Sequence, residues 1–405
     1  MKPLKKIDRR NFLRTGAAGA ATFMAASSGA YSILPAPGGK DDIIHRTLGK
    51  TGIKVPVVSM GVMRADNPSL VRAAIENGMT HFDTANGYQG GQNEKMLGEV
   101  FRDYPRDSFT LATKVKPAGE ERRTGLPTEQ TTVEDFMKKF EESMERLQMD
   151  YVDILYLHAV SSVEMANHKE ITGAMKKLKK EGRVRHIGIS THTNEPEVID
   201  AMVEAGFWDV VLTRYNFNLD YLDKLEPAIK RAAESGIGVV AMKTMAGAYF
   251  DREKTKPVNT TAALKWSLQN RDICTTIPGM TSFDMLEENL AVMVDLNMSD
   301  KERQDIMIAG NEPGLFCTTC NNCLDKCKNS LPVPDLMRAY MYAYGYSNME
   351  KAYSLLSDLE TGSDPCVDCS DCGIDNCSKG FDIPAKIADI SRLAAVPRDF
   401  ISQAE

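Results

Sequence analysis

Eight of the nine cysteines in the 405-residue chain fall into two short runs near its C-terminal end. The runs are Cys317, Cys320, Cys323 and Cys327, followed by Cys366, Cys369, Cys372 and Cys377. Three thiolates spaced three residues apart can each bind a different iron of one 4Fe–4S cluster, and a fourth thiolate completes the site. The duplicated spacing predicts two 4Fe–4S clusters. It favours iron over structural zinc or disulfides, which are the alternatives.

The duplicated motif resembles that of two-cluster ferredoxins, in which the fourth cysteine of each run ligates the other cluster. The resemblance implies that Cys327 serves the second cluster and Cys377 the first. Lys328 and Ser378 stand where proline is usual, and the second run has one extra residue before its last cysteine. We expect residues 310–395 to form a small, α-rich, ferredoxin-like domain whose clusters either relay electrons or hold the segment in shape.

Four further polar residues lie where short β-branched runs end or just after them. Asp83 ends one run, Tyr88 follows it by five residues, and Lys114 and His158 end the next two runs. Tyrosine is a weak acid at neutral pH because its pKa is about 10. We expect Lys114 to lower the pKa of Tyr88, while Asp83 keeps the lysine charged and oriented. The set predicts proton transfer to a carbonyl oxygen that His158 orients.

Strands and helices that position these four residues alternate along the chain. Short apolar runs predict eight strands, at Val55–Val62, Thr80–Asp83, Phe109–Lys114, Val152–His158, Val184–Ser190, Val210–Tyr215, Gly238–Lys243 and Cys274–Pro278. Segments of helical period between them include Leu70–Asn77, Thr132–Gln148, His168–Lys180 and Leu219–Glu234. Residues 44–305 are therefore predicted to form an α/β fold, a (β/α)8 TIM barrel. An open doubly wound sheet is the alternative, but no G-x-G-x-x-G follows the first strand.

Several segments resemble the aldo/keto reductase family, namely His45–Gly52, the Asp83, Tyr88, Lys114 and His158 order, Ile187–Ser190 and Ile277–Asn289. The resemblance implies that the four polar residues form a catalytic tetrad with Tyr88 as the general acid. It also implies that NAD(P)H lies extended across the rim of the barrel. Cofactor contacts implied in the same way fall on Ser190, Gly279, Met280, Thr281, Ser282, Glu288 and Asn289.

Three departures from the family pattern concern the cofactor. Thr191 follows Ser190 where asparagine is common, and Met242 or Lys243 falls where a tyrosine often stacks on the nicotinamide. Gly279 and Met285 stand where basic residues usually meet a 2′-phosphate. These departures leave the tetrad intact and leave the choice between NADH and NADPH open.

The first 30 residues resemble a twin-arginine signal peptide. Arg9 and Arg10 precede Phe12 and Leu13, and a soft Gly- and Ala-rich run follows. This route exports folded proteins, so a cofactor assembled in the cytoplasm can travel with the chain. We expect residues 1–30 to be the signal, residues 31–43 to be a linker and the mature protein to be periplasmic.

The composition of the chain bears on its possible partners. A net charge of −7 gives no support for nucleic-acid binding, and no uninterrupted apolar stretch has the length of a membrane span. The predicted partners are a small carbonyl or alcohol substrate and, if the clusters relay electrons, an external redox partner. The first hypothesis is an exported oxidoreductase that interconverts a carbonyl and an alcohol. The alternative is an Fe–S electron-transfer or binding protein with a non-catalytic barrel.

Overall fold

A computed structural model describes residues 40–121, 123–247, 257–310, 317–367, 369, 372–374 and 377–401. The predicted signal segment and most of the predicted linker lie outside these residues. Within them, no helix has both the length and the apolar character needed to cross a membrane.

A short antiparallel hairpin opens the described chain. Its strands are β1, His45–Thr47, and β2, Lys54–Pro56. Leu48 from the turn of the hairpin is fully buried, and it packs so closely on Gly238 that a Cβ there would lie 2.6 Å from the leucine Cγ. Gly238 begins a later strand, so the hairpin closes the N-terminal end of the sheet described next.

Eight parallel strands follow, and each pairs with its neighbour in sequence. They are β3 Met60–Gly61, β4 His81–Asp83, β5 Thr110–Val115, β6 Val152–Leu157, β7 Val184–Thr191, β8 Val210–Arg214, β9 Gly238–Met242 and β10 Ile273–Thr276. The first and last strands also meet, because the Ser59 N–H donates to Thr276 O (2.8 Å) and the Gly61 N–H to Pro278 O (3.0 Å). The sheet is therefore a closed barrel, which confirms the predicted fold and excludes the open sheet.

The first predicted strand, Val55–Val62, is wrong as one element. Its beginning belongs to the hairpin as β2, and its end is the short barrel strand β3. The partner that accepts from the backbone N–H groups changes between Val57 and Ser59. The Val57 N–H donates to Ile44 O, whereas the Ser59 N–H donates to the last barrel strand.

Ten helices of the described residues surround or flank the barrel. They are α1 Pro68–Glu76, α2 Gln92–Phe101, α3 Val133–Leu147, α4 Val163–Ala166, α5 Lys169–Lys180, α6 Glu195–Ala205, α7 Leu222–Glu234, α8 Thr260–Gln269, α9 Phe283–Val294 and α10 Asp300–Gly310. In α3, Thr132 caps the first turn by accepting from the Asp135 N–H, and Phe136 and Phe140 are buried one turn apart. The helix α10 runs past the predicted boundary at residue 305.

The C-terminal segment, residues 317–401, is called the tail below. Its helices are α11 Val333–Tyr340, α12 Met349–Leu359, α13 Ile383–Ser391 and α14 Arg398–Ile401, and a π-helical turn, Met341–Gly345, extends α11. This part of the predicted α-rich domain thus consists of two helices joined by this turn. The tail has an apolar core of its own, which includes Val333, Leu336 and Ile387.

The tail lies on the C-terminal mouth of the barrel. The Thr319 hydroxyl donates to His192 O after β7 (3.1 Å), and Lys379 Nζ donates to Asn218 Oδ1 after β8 (2.6 Å). Arg123, in the loop after β5, forms an ion pair with Asp325 (2.9 Å). In a (β/α)8 barrel the reactive residues lie at this end, so the tail stands over the predicted site.

Candidate active site

Three of the four predicted catalytic side chains meet directly where β4 and β5 end. Lys114 forms a buried ion pair with Asp83, and its Nζ also donates to Thr84 O (2.7 Å). The same Nζ lies 3.4 Å from the Tyr88 hydroxyl oxygen. Tyr88 reaches this position because a tight 3₁₀ turn, Tyr88–Gly91, follows β4. The strand-end positions thus bring the tyrosine, the lysine and the aspartate into one cluster.

Burial is the largest influence on the proton affinities of this cluster. It disfavours the charge of Lys114, but the Asp83 carboxylate and the Tyr88 oxygen together outweigh it and raise the pKa of Lys114. Burial raises the pKa of Tyr88, and the Lys114 charge offsets this only in part. The expected net lowering of the Tyr88 pKa is therefore wrong, although Lys114 acts in the predicted direction. Tyr88 carries its proton at neutral pH.

His158, the fourth predicted catalytic residue, follows β6 and faces Tyr88. Their ring centroids lie 6.0 Å apart and the rings are nearly perpendicular, at 80°. Burial, and then the charge of Lys114, lowers the pKa of His158 well below its usual value. A neutral imidazole has one N–H donor and one acceptor nitrogen. His158 can therefore orient a carbonyl oxygen, and both Tyr88 and His158 are half-buried.

Ser190, the predicted nicotinamide contact, lies near the end of β7. Its Oγ accepts a hydrogen bond from the Ala159 N–H (2.9 Å), which fixes the loop directly after His158. Its carbonyl oxygen accepts from the Val160 N–H (2.9 Å). The residue is therefore adjacent to the tetrad and buried at the barrel mouth.

The remaining predicted cofactor residues follow β10. Gly279 is exposed and bridges to Gly61 of β3, where the barrel closes. The side chain of Met280 is fully buried. A cofactor contact from Met280 would have to come from its backbone.

Helix α9 carries the rest of this predicted set. Thr281 and Ser282 lie at its N-terminal end, where the Ser282 Oγ accepts from the Met285 N–H (3.3 Å) and where helix amides favour a phosphate. Glu288 is exposed and accepts from the Thr260 hydroxyl (3.2 Å). The Oδ1 of Asn289 is buried without a hydrogen-bond partner among the described atoms. An acceptor of this kind fits a donor group of a bound dinucleotide.

The eight cysteines of the tail form two groups, and each group contains cysteines from both sequence runs. Burial, and then the neighbouring thiols of Cys317 and Cys320, raises the pKa of Cys323 to about 12, and Cys377 of the other run contributes to the shift. Cys320 Sγ also lies 3.9 Å from Ser378 Oγ, beside Cys377.

The second group mirrors the first. Burial, and then the thiols of Cys327, Cys369 and Cys372, raises the pKa of Cys366. Each group therefore joins three cysteines of one run to the fourth cysteine of the other. All nine cysteines are free thiols, and no three His, Cys, Asp or Glu side chains of the described residues converge as ligands of a single metal ion.

A small cleft lies between the barrel rim and the tail. Arg214 and Lys243 line it from the barrel, and Cys317 and Tyr346 line it from the tail. Arg214 Nη2 lies 2.8 Å from Glu195 and donates to the Thr319 hydroxyl (2.9 Å). Sequence reasoning missed Arg214, although it ends β8 as Asp83 ends β4, and the same strand-end rule could have found it.

Comparison with known proteins identifies the barrel. Residues 60–262 match the model of the aldo/keto reductase family. A holo-form aldo-keto reductase from Bacillus halodurans has a similar fold, with a TM-score of 0.53 at 23% identity over 66% of this chain and 96% of that structure.

Two curated relatives are enzymes of carbonyl or alcohol chemistry. The L-galactose dehydrogenase of Arabidopsis thaliana is 30% identical over 306 residues, which cover 64% of this chain and 91% of the relative. The L-glyceraldehyde 3-phosphate reductase of Escherichia coli K12 is 25% identical, over 65% of this chain and 91% of the relative. The protein is an oxidoreductase, and it belongs to the aldo/keto reductase family.

Proposed function

We propose that the protein interconverts a small carbonyl compound and its alcohol with NAD(P) as the hydride carrier. The observation that supports this proposal most directly is the cluster around Tyr88. Lys114 Nζ contacts Asp83 and lies 3.4 Å from the Tyr88 hydroxyl, and His158 faces the same phenol. This geometry supports proton transfer at a carbonyl oxygen. The alternative of a non-catalytic barrel has no comparable observation in its favour.

Each member of the tetrad has one task in carbonyl reduction. Tyr88 donates its proton to the carbonyl oxygen as negative charge develops there, and the adjacent Lys114 charge stabilises the phenolate that is left. Asp83 holds Lys114 charged and aimed at Tyr88. Neutral His158 orients the carbonyl by a hydrogen bond. The dinucleotide, when bound, supplies the hydride.

The residues that would hold this dinucleotide are those predicted from the family resemblance. Ser190 is beside the tetrad, the α9 N-terminus suits a phosphate, and the unpaired Asn289 Oδ1 suits a donor group of the ligand. The exposed backbone at Gly279 completes this surface. Nothing in this set selects between NADH and NADPH.

Replacing Tyr88 by phenylalanine tests the proposed activity. Y88F should lower kcat for carbonyl reduction by roughly 100- to 10,000-fold, because the proton donor is removed while its ring stays in place. Dinucleotide affinity, measured by fluorescence titration, should stay within about threefold. Tyr104→Phe, which removes a surface hydroxyl bonded to Glu76, is the matched control. Full activity in Y88F would reject Tyr88 as the acid.

We also propose that the tail holds two 4Fe–4S clusters. The first would use Cys317, Cys320, Cys323 and Cys377, and the second Cys366, Cys369, Cys372 and Cys327. The crossed grouping supports this assignment, because each thiolate of such a cluster binds its own iron and the ligands surround a larger centre than a single ion. Bound clusters would transfer single electrons or cross-link the tail.

Export by the twin-arginine route is the third part of the proposal. It rests on the Arg9-Arg10 pair and the soft apolar run after it. Free NAD(P)H is not expected in the periplasm, so the dinucleotide would be loaded before export and retained. A protein that carries cofactors assembled in the cytoplasm needs a route for folded chains.

A further inference from the structure

We propose that the tail forms the roof of the substrate pocket and that Arg338 in this roof binds an anionic group, a carboxylate or a phosphate, of the carbonyl substrate. The inference rests on the proposed carbonyl reduction and adds a substrate class to it. It assigns a specificity role to residues that lie outside the barrel.

The roof is one face of α11 and its π-helical extension. Arg338, Tyr342 and Tyr346 follow one another at four-residue spacing, which places them on the same face. All three are partly exposed, whereas Leu336 and Ala339 on the other side are buried in the core of the tail. Short π-helical segments are frequent at functional sites.

This face points into the barrel mouth. The Arg64 guanidinium, in the loop after β3, lies 5.8 Å from the Tyr346 ring centroid. Arg338 lines a recess together with Arg214 and Lys243, the residues that end or follow β8 and β9. The two roof tyrosines and Arg338 therefore face the rim from which the tetrad projects.

The electrostatic couplings agree with this placement. Burial and then the charges of Lys114 and Lys116 lower the pKa of His158, and the charges of Lys351 and Arg338 in the tail contribute further. The pKa of Tyr342 is raised by burial, and Tyr88 of the tetrad contributes to the shift. Tail residues and catalytic residues thus share one enclosed space.

The guanidinium of Arg338 has capacity left for a ligand. Within the described residues it has one ion pair, from Nη1 to Asp335 Oδ1 (3.0 Å) on the same helix. A guanidinium has five N–H donors in a planar fork that suits a carboxylate or a phosphate. Arg214, by contrast, is already bonded to Glu195, Tyr221 and Thr319.

Several cations also act on this end of the cleft. Arg338 and Lys351 act on His158, as do Lys114 and Lys116 of the barrel. Lys114 is matched by Asp83 and Lys116 by Glu120. Arg338 is paired with Asp335 on its own helix, so an anion carried by the substrate would compete with this carboxylate for the guanidinium, in a site where water screens charge poorly. The tyrosines flank this position and can pack against the carbon chain of the substrate.

Paired aldehydes, of which one member carries an anionic group that the other lacks, test this assignment. The pairs are succinate semialdehyde with butanal, and glyceraldehyde phosphate with glyceraldehyde. In the intact holoprotein, Arg338→Gln should lower kcat/KM for the preferred anionic aldehyde by roughly 10- to 100-fold, mainly through KM. The neutral aldehydes should change by less than about threefold, because they make no charged contact. The pair that responds more identifies the anion as a carboxylate or a phosphate.

Two further variants make the test specific. Asp335→Asn removes the internal competitor of the substrate anion, so it should lower KM for the anionic aldehyde, the opposite sign to Arg338→Gln. Arg392→Gln, at an exposed arginine of the tail, should leave both pairs unchanged. An equal loss for charged and neutral aldehydes, or an equal loss of dinucleotide affinity, would overturn the assignment.

A binding measurement separates failure of this inference from failure of the proposed activity. Calorimetry with succinate and with inorganic phosphate should show binding to the unchanged protein and a loss of at least roughly tenfold in affinity in Arg338→Gln. If no aldehyde is reduced while this loss is seen, the carbonyl chemistry fails and the anion site stands. Equal affinities in both proteins reject the anion site whatever the activity.

Discussion

Tyr88 shows how burial and a single charge compete at one oxygen atom. Burial raises the pKa of the phenol more than the Lys114 charge lowers it, so the acid keeps its proton at rest. In the proposed reaction, Tyr88 would release its proton only as negative charge develops on the carbonyl oxygen, and Lys114 would stabilise the phenolate that is left.

His81, a buried residue near Lys114, should make the free energy of unfolding depend on pH. It is fully buried in β4, and burial, followed by the Lys114 charge, lowers its pKa to about 4. The unfolded chain takes up a proton below pH about 6.5, whereas the folded chain does not. The free energy of unfolding should therefore fall by about 2 kcal/mol between pH 7 and pH 5 through this residue alone.

Urea unfolding at a series of pH values checks this expectation. His81→Leu should remove that part of the pH slope, because no group is left to protonate on unfolding. His45→Gln, at an exposed histidine of the hairpin, should keep the full slope. An unchanged slope in His81→Leu would mean that other groups govern the acid sensitivity.

The positions of the tetrad residues could be predicted from the sequence, whereas the position of the roof residues over the barrel could not. Asp83, Lys114 and His158 could be found because strand ends of a parallel barrel meet at one rim, which is a local rule. Arg338 and Tyr342 belong to a helix whose period shows only that one face is polar. Which surface that face meets depends on how the tail docks, and this is not encoded in any nearby spacing.

At the scale of elements, closure of the barrel depends on the absence of a side chain at Gly61. A Cβ at this position would lie 2.6 Å from the Ile277 carbonyl oxygen, in the backbone contact that joins β3 to the end of β10. Gly61→Ala should therefore lower the free energy of unfolding by about 1 to 3 kcal/mol.

The control for Gly61 is a glycine with room around it. Gly173 lies inside α5, and a Cβ added there would have no neighbouring atom within 4 Å. Gly173→Ala should raise the free energy of unfolding by about 0.5 to 1 kcal/mol, because alanine loses less backbone entropy in a helix. The midpoints of urea unfolding compare the two variants. Equal shifts of the same sign would show that the β3 contact is not tight.

Elements with strong local signals were predicted well. The four helices predicted within the barrel are all found, and their ends differ from the prediction by at most three residues. The seven strands after the first are also found, with ends that differ by at most two residues. Caps such as Thr132 and the buried face of α3 specify these ends locally. The prediction of the first strand failed because the chain changes its pairing partner between Val57 and Ser59, and a continuous apolar run does not reveal that change.

At the scale of the whole molecule, the cysteine groups join the two halves of the tail. Cys323 and Cys377 belong to different runs but to the same group. We therefore expect Cys323→Ser and Cys377→Ser to impair the same proposed cluster. Each variant should lower the iron content from about eight to about four atoms per chain, and the double variant should lose no more. Cys274→Ala, at the lone buried cysteine of the barrel, should keep all the iron.

Iron and sulfide analysis of protein isolated anaerobically from the periplasm makes this measurement. The same preparation, denatured, should release one nicotinamide dinucleotide per chain by mass spectrometry if the barrel is loaded before export. Zinc in place of iron, or additive losses in the double variant, would contradict the crossed clusters. Absence of the protein from the periplasm would contradict export.

The position of the tail also sets an order of events during synthesis. The barrel is complete in sequence at Gly310, whereas Thr319 and the roof helix that contact its mouth are made afterwards. At the usual rate of translation, the remaining residues take on the order of ten seconds. For the part of that interval after Gly310 has left the ribosome, the nascent chain would present a barrel with an open mouth to the cytoplasmic dinucleotide pool. We therefore expect the dinucleotide of the proposed reaction to load before the roof docks and to be retained once the roof has docked.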